Sequence, residues 1–185
     1  MGGYPMGMSL PQGVRRRDIA MHGDDRGTFS EIYRSEWDTG VAPVQWNVVR
    51  SEPGVLRGVH VHVRHADYWM VIDGAATLGL RDLRSGSPTE GGSAVVAVSG
   101  DRLTALTIPP GVAHGFLFHE PAFHVYAVSH YWDTDDELGC HWADPDLEIE
   151  WPAPPSLVSP RDAAAGSLSD LLSRLEPFQP IGLST

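Results

Sequence analysis

The chain contains no lysine: all thirteen of its Lys+Arg positions are arginine. Any fixed cation it offers a ligand is therefore a guanidinium, whose fork suits paired, charge-assisted hydrogen bonds to phosphate. Cysteine is nearly absent too. Cys140 stands alone, which excludes an internal disulfide framework and reads as a packed or idle thiol. No window approaches the uninterrupted apolar run that crosses a bilayer, so no membrane partner is expected. The opening MGGYPMGMSLPQG lacks the charged and apolar blocks of a signal peptide. It also has Met6 where a myristoylation pattern needs Ser or Thr. Residues 1–17 are expected to be a flexible leader, and the protein to be cytoplasmic. Basic charge is scarce overall. A formal net charge of −11 argues against a nucleic-acid partner, which needs a basic surface to track phosphates. An anionic small ligand requires only that arginines be concentrated in a pocket.

What is present is a β-rich chain of ordinary domain size, with 42% apolar and 20% charged residues in 185. Glycine and proline punctuate it at short intervals. Between them lie PVQWNVVR, VLRGVHVHV, DYWMVID, AATLGLRDL, SAVVAV, RLTALTI, HGFLF and FHVYAVSHYW, each β-branched or aromatic and of strand length. SEPG, SGSP, TEGG, VSGD and PPG separate them as turns. Only DAAAGSLSDLLSRL carries a helical stripe, at positions 168, 171, 172 and 175. The pattern predicts an all-β jelly-roll barrel with a short C-terminal helical segment packed on it, in one domain over 18–185.

The densest chemistry lies in RGVHVHVRHADYWMVIDG, residues 57–74, where His60, His62, His65 and Asp67 fall within eight positions. Residues two apart on a strand share a face, so His60 and His62 look into the same space. Either a divalent metal or a carbon-bound hydrogen of a substrate could meet them there. A second glycine-anchored block, IPPGVAHGF, carries His114. Together the two blocks resemble the paired motifs of cupins, small jelly-roll barrels whose mouth holds a ligand or a metal. On that resemblance the metal set would be His60, His62, Asp67 (where Glu is usual) and His114.

From about residue 18 to about residue 170 the chain resembles, more specifically, the dTDP-4-dehydrorhamnose 3,5-epimerase family. Six blocks carry the likeness in order: DDRGTFSEIYR, VQWNVVRSEPGVLRGVH, DLRSGSPTEG, IPPGVAHGF, ELGCHWADPDLEIEWP and VSPRDA. The resemblance implies an isomerase acting on a dTDP-linked 4-keto-6-deoxysugar without a cofactor. It implies His60 as the base, Asp162 as the carboxylate behind it, and Tyr126 as the acid on the opposite side of the sugar. It further implies Arg26, Glu31, Gln45, Asn47, Arg57, His62 and His114 around the sugar and diphosphate. Arg26 and Glu31 would reach the site of a second subunit, hence a homodimer. Taken singly, Tyr126 reads as easily as a core tyrosine, His60 as a buried histidine satisfied by a neighbour, and Arg57 as a paired arginine in the barrel.

The chain departs from the family where the family has a lysine facing the keto oxygen: Asp67 stands there. A charged carboxylate beside a developing oxyanion would oppose the reaction. His62 replaces a Gln, and Trp132 follows Tyr131 in a changed aromatic pair. His65 is expected to be exposed or to donate to the enolate, and Arg64 is a candidate for the absent cation. The first two changes also complete the metal-type set, so a divalent metal at His60, His62, Asp67 and His114 is the alternative. A sugar-nucleotide binding protein without catalysis is another.

Overall fold

A computed structural model describes residues 9–133 and 136–175. Three short strands come first: β1 (Arg15–Asp18), β2 (His22–Asp24) and β3 (Gly27–Phe29). The eight segments expected as strands follow as β4 (Gln45–Ser51), β5 (Val55–Val61), β6 (Asp67–Asp73), β7 (Ala75–Asp82), β8 (Ser93–Ser99), β9 (Thr104–Ile108), β10 (Val112–Phe118) and β11 (Ala122–Val128). β12 (Leu138–Gly139), β13 (Leu157–Val158) and the helices α1 (Pro160–Ala163) and α2 (Leu168–Leu175) come last among the described residues.

Two sheets face each other, ordered β1-β9-β6-β11-β4 and β12-β5-β10-β7-β8. β13 lies parallel to β5, while the other pairs are antiparallel. This is the expected jelly roll of the cupin type. Strand periodicity works as elementary geometry demands: on the edge strand β4, Gln45, Asn47 and Val49 turn inward while Trp46 and Val48 face outward. Between the sheets Trp69, Val71, Leu78, Leu80, Leu106, Ile108 and Phe118 form the inner core.

The outer face of the second sheet positions the site. Val59, Val61 and Ala113 on that face are buried with Leu138, Cys140, Leu147, Leu168 and Leu171. The C-terminal segment is thereby folded back over β5. Burial pushes the Cys140 thiol up to about 12, as suits a packed, idle residue. α2 is narrower than its sequence stripe: Leu168 and Leu171 are buried, but Leu172 is exposed. The helical run is also broken after α1. A new helix starts at a reciprocal cap, in which Ser167 N–H donates to Asp170 Oδ2 and Asp170 N–H to Ser167 Oγ, both at 3.1 Å.

The N-terminus corrects an expectation. Leu10 and Val14 pack against the inner core and β1 pairs with β9 from Arg15 onward. The flexible leader expected over 1–17 therefore does not extend through residues 10–17, and residues 1–8 lie outside the described residues. β1 reads RRRD with every residue exposed, so no apolar alternation marked it.

Gly74, between β6 and β7, has φ +81°, and a Cβ there would stand 2.4 Å from the Pro121 carbonyl oxygen. Gly74→Ala should therefore cost about 2–4 kcal/mol, left-handed strain and overpacking together. The check is a lower urea midpoint at unchanged slope; an unchanged midpoint would refute the packing argument.

Candidate active site

A cavity of about 550 Å³ opens between the two sheets, and His60, Tyr126 and Asp162 all line it. His60 comes from β5. Asp162 comes from α1, whose Ser159–Pro160 start is a strong helix entry: Ser159 Oγ accepts from Asp162 N–H at 3.1 Å. An acid at this position of a helix commonly turns back to the cap. Here it turns to β5 instead, where Asp162 Oδ1 lies 2.7 Å from His60 Nε2 and Oδ2 accepts from Gly58 N–H at 3.3 Å. Burial by itself would raise the Asp162 carboxyl, but the hydrogen bond and charge of His60 and the Gly58 amide hold it down at about 2. It is a carboxylate, and the proton of the 2.7 Å bond sits on Nε2. Arg161 Nη2 is also 2.9 Å from that nitrogen, which cannot accept from it while donating to Asp162. We assign the proton to the shorter bond, and read Arg161 as paired with Glu137 at 2.8 Å. His60 Nδ1 lies 3.3 Å from Glu137 Oε1 with no hydrogen bond between them, and in the neutral ring it keeps its lone pair.

Tyr126 stands on β11, in the other sheet. Among the described residues its hydroxyl makes no hydrogen bond. Burial and the nearby Asp67 and Glu137 carboxyls push the phenol above its ordinary value, keeping it protonated. His60 and Tyr126 thus face one cavity from opposite walls.

A third group lies deeper. His62, following β5, His114 on β10 and Asp67 at the start of β6 are all buried. Burial and the surrounding imidazoles push His62 down to about 2. Burial pushes His114 down to about 4. Burial, with the charges of Glu137 and Asp136, pushes the Asp67 carboxyl up to about 8. The two imidazoles are neutral near pH 7.

Comparison with known proteins then settles the lineage. Residues 11–170 match the family model of dTDP-4-dehydrorhamnose 3,5-epimerase. The chain belongs to this family. It is 38% identical over 160 residues to dTDP-4-dehydrorhamnose 3,5-epimerase of Pseudomonas aeruginosa, covering 80% of this chain and 87% of that protein. Among solved structures it is similar to an epimerase from Legionella pneumophila in complex with dTDP-4-keto-L-rhamnose, at TM-score 0.84 and 30% identity over 96% of this chain and 97% of the other. It is also similar to a 3'-monoepimerase from Streptomyces bikiniensis in complex with dTDP, at TM-score 0.83 and 31% identity over 95% and 93%. The protein is an isomerase of this epimerase family, and no helix among its described residues is long and apolar enough to cross a membrane.

Within the family frame, the structure sorts the remaining expected residues. Arg57 lines the cavity mouth, held by Ser51 Oγ at 3.0 Å and the Arg50 carbonyl at 3.3 Å. Among the described residues it makes no ion pair, so it is not the paired barrel arginine. Gln45 donates to Asn47 Oδ1 at 2.9 Å and accepts from Trp132 N–H at 3.1 Å, which orders both on the inward face of β4. Arg26 and Glu31 are not brought to this chain's cavity. Arg26 pairs with Asp24 in the exposed β2–β3 hairpin, and Glu31 with Arg34.

Three expectations need correction. His60 is committed to Asp162 and stands outside both groups of described residues that could hold a metal, His62 with Asp67 and His114, and His62 with His65 and Asp136. His65 is buried, not exposed, because its Nδ1 is bonded to Asp136 Oδ2 at 2.8 Å and its ring stacks on His62. Arg64 is exposed and does not line the cavity. Sequence reasoning also missed Glu137, Arg161 and His124, all cavity-lining. Arg161 alone had a signal, its adjacency to Asp162.

Proposed function

We propose that the protein epimerises a dTDP-linked 4-keto-6-deoxyhexose at carbon next to the ketone. His60 removes the proton, and Tyr126 returns one from the opposite face. The observation that carries this reading is the placement of a carboxylate-backed imidazole on one sheet and an unengaged phenol on the other, across a shared cavity. A hydrogen α to a ketone yields only to a base within reach, with an acid placed on the far side if the product is to be inverted. His60 Nδ1 can accept because Asp162 keeps the ring proton on Nε2. Asp162 then stabilises the imidazolium that forms. Arg57, free of any carboxylate among the described residues, suits the diphosphate.

A second copy of the chain fits the same reading. β4 is an edge strand whose outward Trp46 and Val48 are 43% and 66% exposed, an apolar strip suited to burial in a homodimer. Arg26 and Glu31, remote from their own cavity, would then serve the partner's site.

Tyr126→Phe in deuterated solvent tests the division of labour. The variant should still wash deuterium into the substrate within about tenfold of the native rate, yet form inverted product at least about 10²-fold more slowly. Inversion at the native rate would remove Tyr126 from its role, and no wash-in by the native protein would remove the function.

A further inference from the structure

The enolate formed beside His60 needs positive charge, and the chain has no lysine. His62, Asp67 and His114 line the same cavity and take no part in the dyad. Their ligand atoms all lie within 4.8 Å of one another. His62 Nε2 is 3.7 Å and His114 Nε2 3.6 Å from Asp67 Oδ2, too far for hydrogen bonds. Bonds of about 2.1 Å to a tetrahedral metal put ligand atoms about 3.4 Å apart, so these are the separations of co-ligands.

The far side of each ring fixes the direction. His62 Nδ1 faces the Asp136 carbonyl at 3.3 Å, and His114 Nδ1 the Val112 carbonyl at 3.1 Å. A carbonyl only accepts, so each Nδ1 carries the proton and each Nε2 presents a lone pair. Asp67 Oδ2 is buried and accepts no hydrogen bond from the protein. Two imidazole lone pairs and a carboxyl oxygen therefore converge with no hydrogen bond among them, an arrangement that burial makes costly unless a cation joins it. The neighbouring trio of His62, His65 and Asp136 differs. The Asp136 carboxylate already takes Val63 N–H, Arg64 N–H and His65 Nδ1.

We infer that His62, Asp67 and His114 bind a divalent transition metal, leaving His60 free as the base. Two imidazoles and one carboxylate suit zinc, iron, cobalt, nickel or manganese and leave coordination positions open. His114 pairs with His60 across β5 and β10, so the ion is a neighbour of the base. Resting on the epimerase reading, its charge supplies what the family's lysine would.

The full-length protein, stripped with chelator and titrated with Zn²⁺ or Co²⁺, should take up about one equivalent per chain. Asp67→Asn and His62→Gln should each weaken uptake at least about 100-fold, while His60→Asn keeps it. The native Co²⁺ form should show two paramagnetically shifted, exchangeable imidazole N–H resonances, a readout independent of any variant's folding. No uptake of either ion, which would leave Asp67 as a protonated acid, overturns the inference. So does native-strength uptake in both variants, or a count of shifted resonances other than two. Deuterium wash-in by the stripped protein at the undiminished rate would remove the ion's catalytic part and leave the epimerase reading standing. Metal uptake without any wash-in would do the reverse.

Discussion

His60→Asn is expected to lower solvent-deuterium exchange next to the keto group by roughly 10³–10⁴-fold, the upper range of what a positioned general base contributes. Asparagine stops short of the Nε2 position, but Asp162 keeps the Gly58 N–H on Oδ2 and Arg161 Nε on Oδ1, each at 3.3 Å. The carboxylate is thus not left buried without a partner, and the fold should survive. What the variant lacks is a nitrogen that can hold a proton. Among the described residues Glu137 is the one other carboxylate within 3.3 Å of the ring. Arg161 pairs with it at 2.8 Å and, by hydrogen bond and charge, holds it below its ordinary value against the effect of burial, so it is a weaker base. Binding of dTDP should change less than a few-fold, because Arg57 is untouched. The measurement is wash-in followed by mass spectrometry at saturating sugar nucleotide. Exchange within tenfold of the native protein would mean that another group, Glu137 first, is the base.

The parts of this site that could be read from sequence are those carried by strand rhythm and by ordered motifs. The segments DYWMVID and AATLGLRDL became β6 and β7 with nearly the expected bounds because central strands are apolar on both faces. His60 and Asp162 are 102 residues apart, and no local pattern links them. Only the family's closing block links them in sequence, and what brings them together physically is the packing of Leu168 and Leu171, on the returning chain, with Val59 and Val61 of β5. The unread parts share a cause. Asp136, Glu137 and Arg161 sit in polar runs, DDEL and SPRD, whose composition looks like solvated loop. Polar residues that satisfy one another leave no hydrophobic period. The same holds for His65, which pairing with Asp136 drew inward, and for exposed β1. Asp67 shows how environment changes a residue's meaning: a carboxylate beside an enolate opposes reaction, but a buried carboxyl among neutral imidazoles is a ligand or an acid.

Asp162→Asn should cost nearly as much as loss of the base itself, roughly 10³–10⁴-fold in kcat with KM little changed. The reason lies in two hydrogen bonds. Asp162 Oδ1 receives the His60 Nε2 proton, and Oδ2 receives Gly58 N–H at 3.3 Å. An asparagine has one acceptor oxygen and one donor nitrogen. Turned to satisfy the fixed Gly58 amide, it presents its NH₂ to His60 Nε2. The imidazole must then accept there and move its proton to Nδ1, the nitrogen that has to be free to take the substrate's hydrogen. The variant therefore keeps the imidazole in place but in the wrong tautomer, and it removes the charge that stabilises the imidazolium. Asp162 also contributes stability whose sign follows from its depressed acidity. With about 2 in the fold against an ordinary 3.8, the contribution is complete above pH 4–5 and is lost as pH falls toward 2. It amounts to about 2 kcal/mol for this well-buried group. Urea unfolding of Asp162→Asn should thus show a shallower loss of stability between pH 5 and pH 2 than the native protein. A variant that exchanges deuterium within tenfold of native would show that the carboxylate only props α1 against β5. A shallower acid limb together with lost exchange would tie both effects to the single charge behind His60.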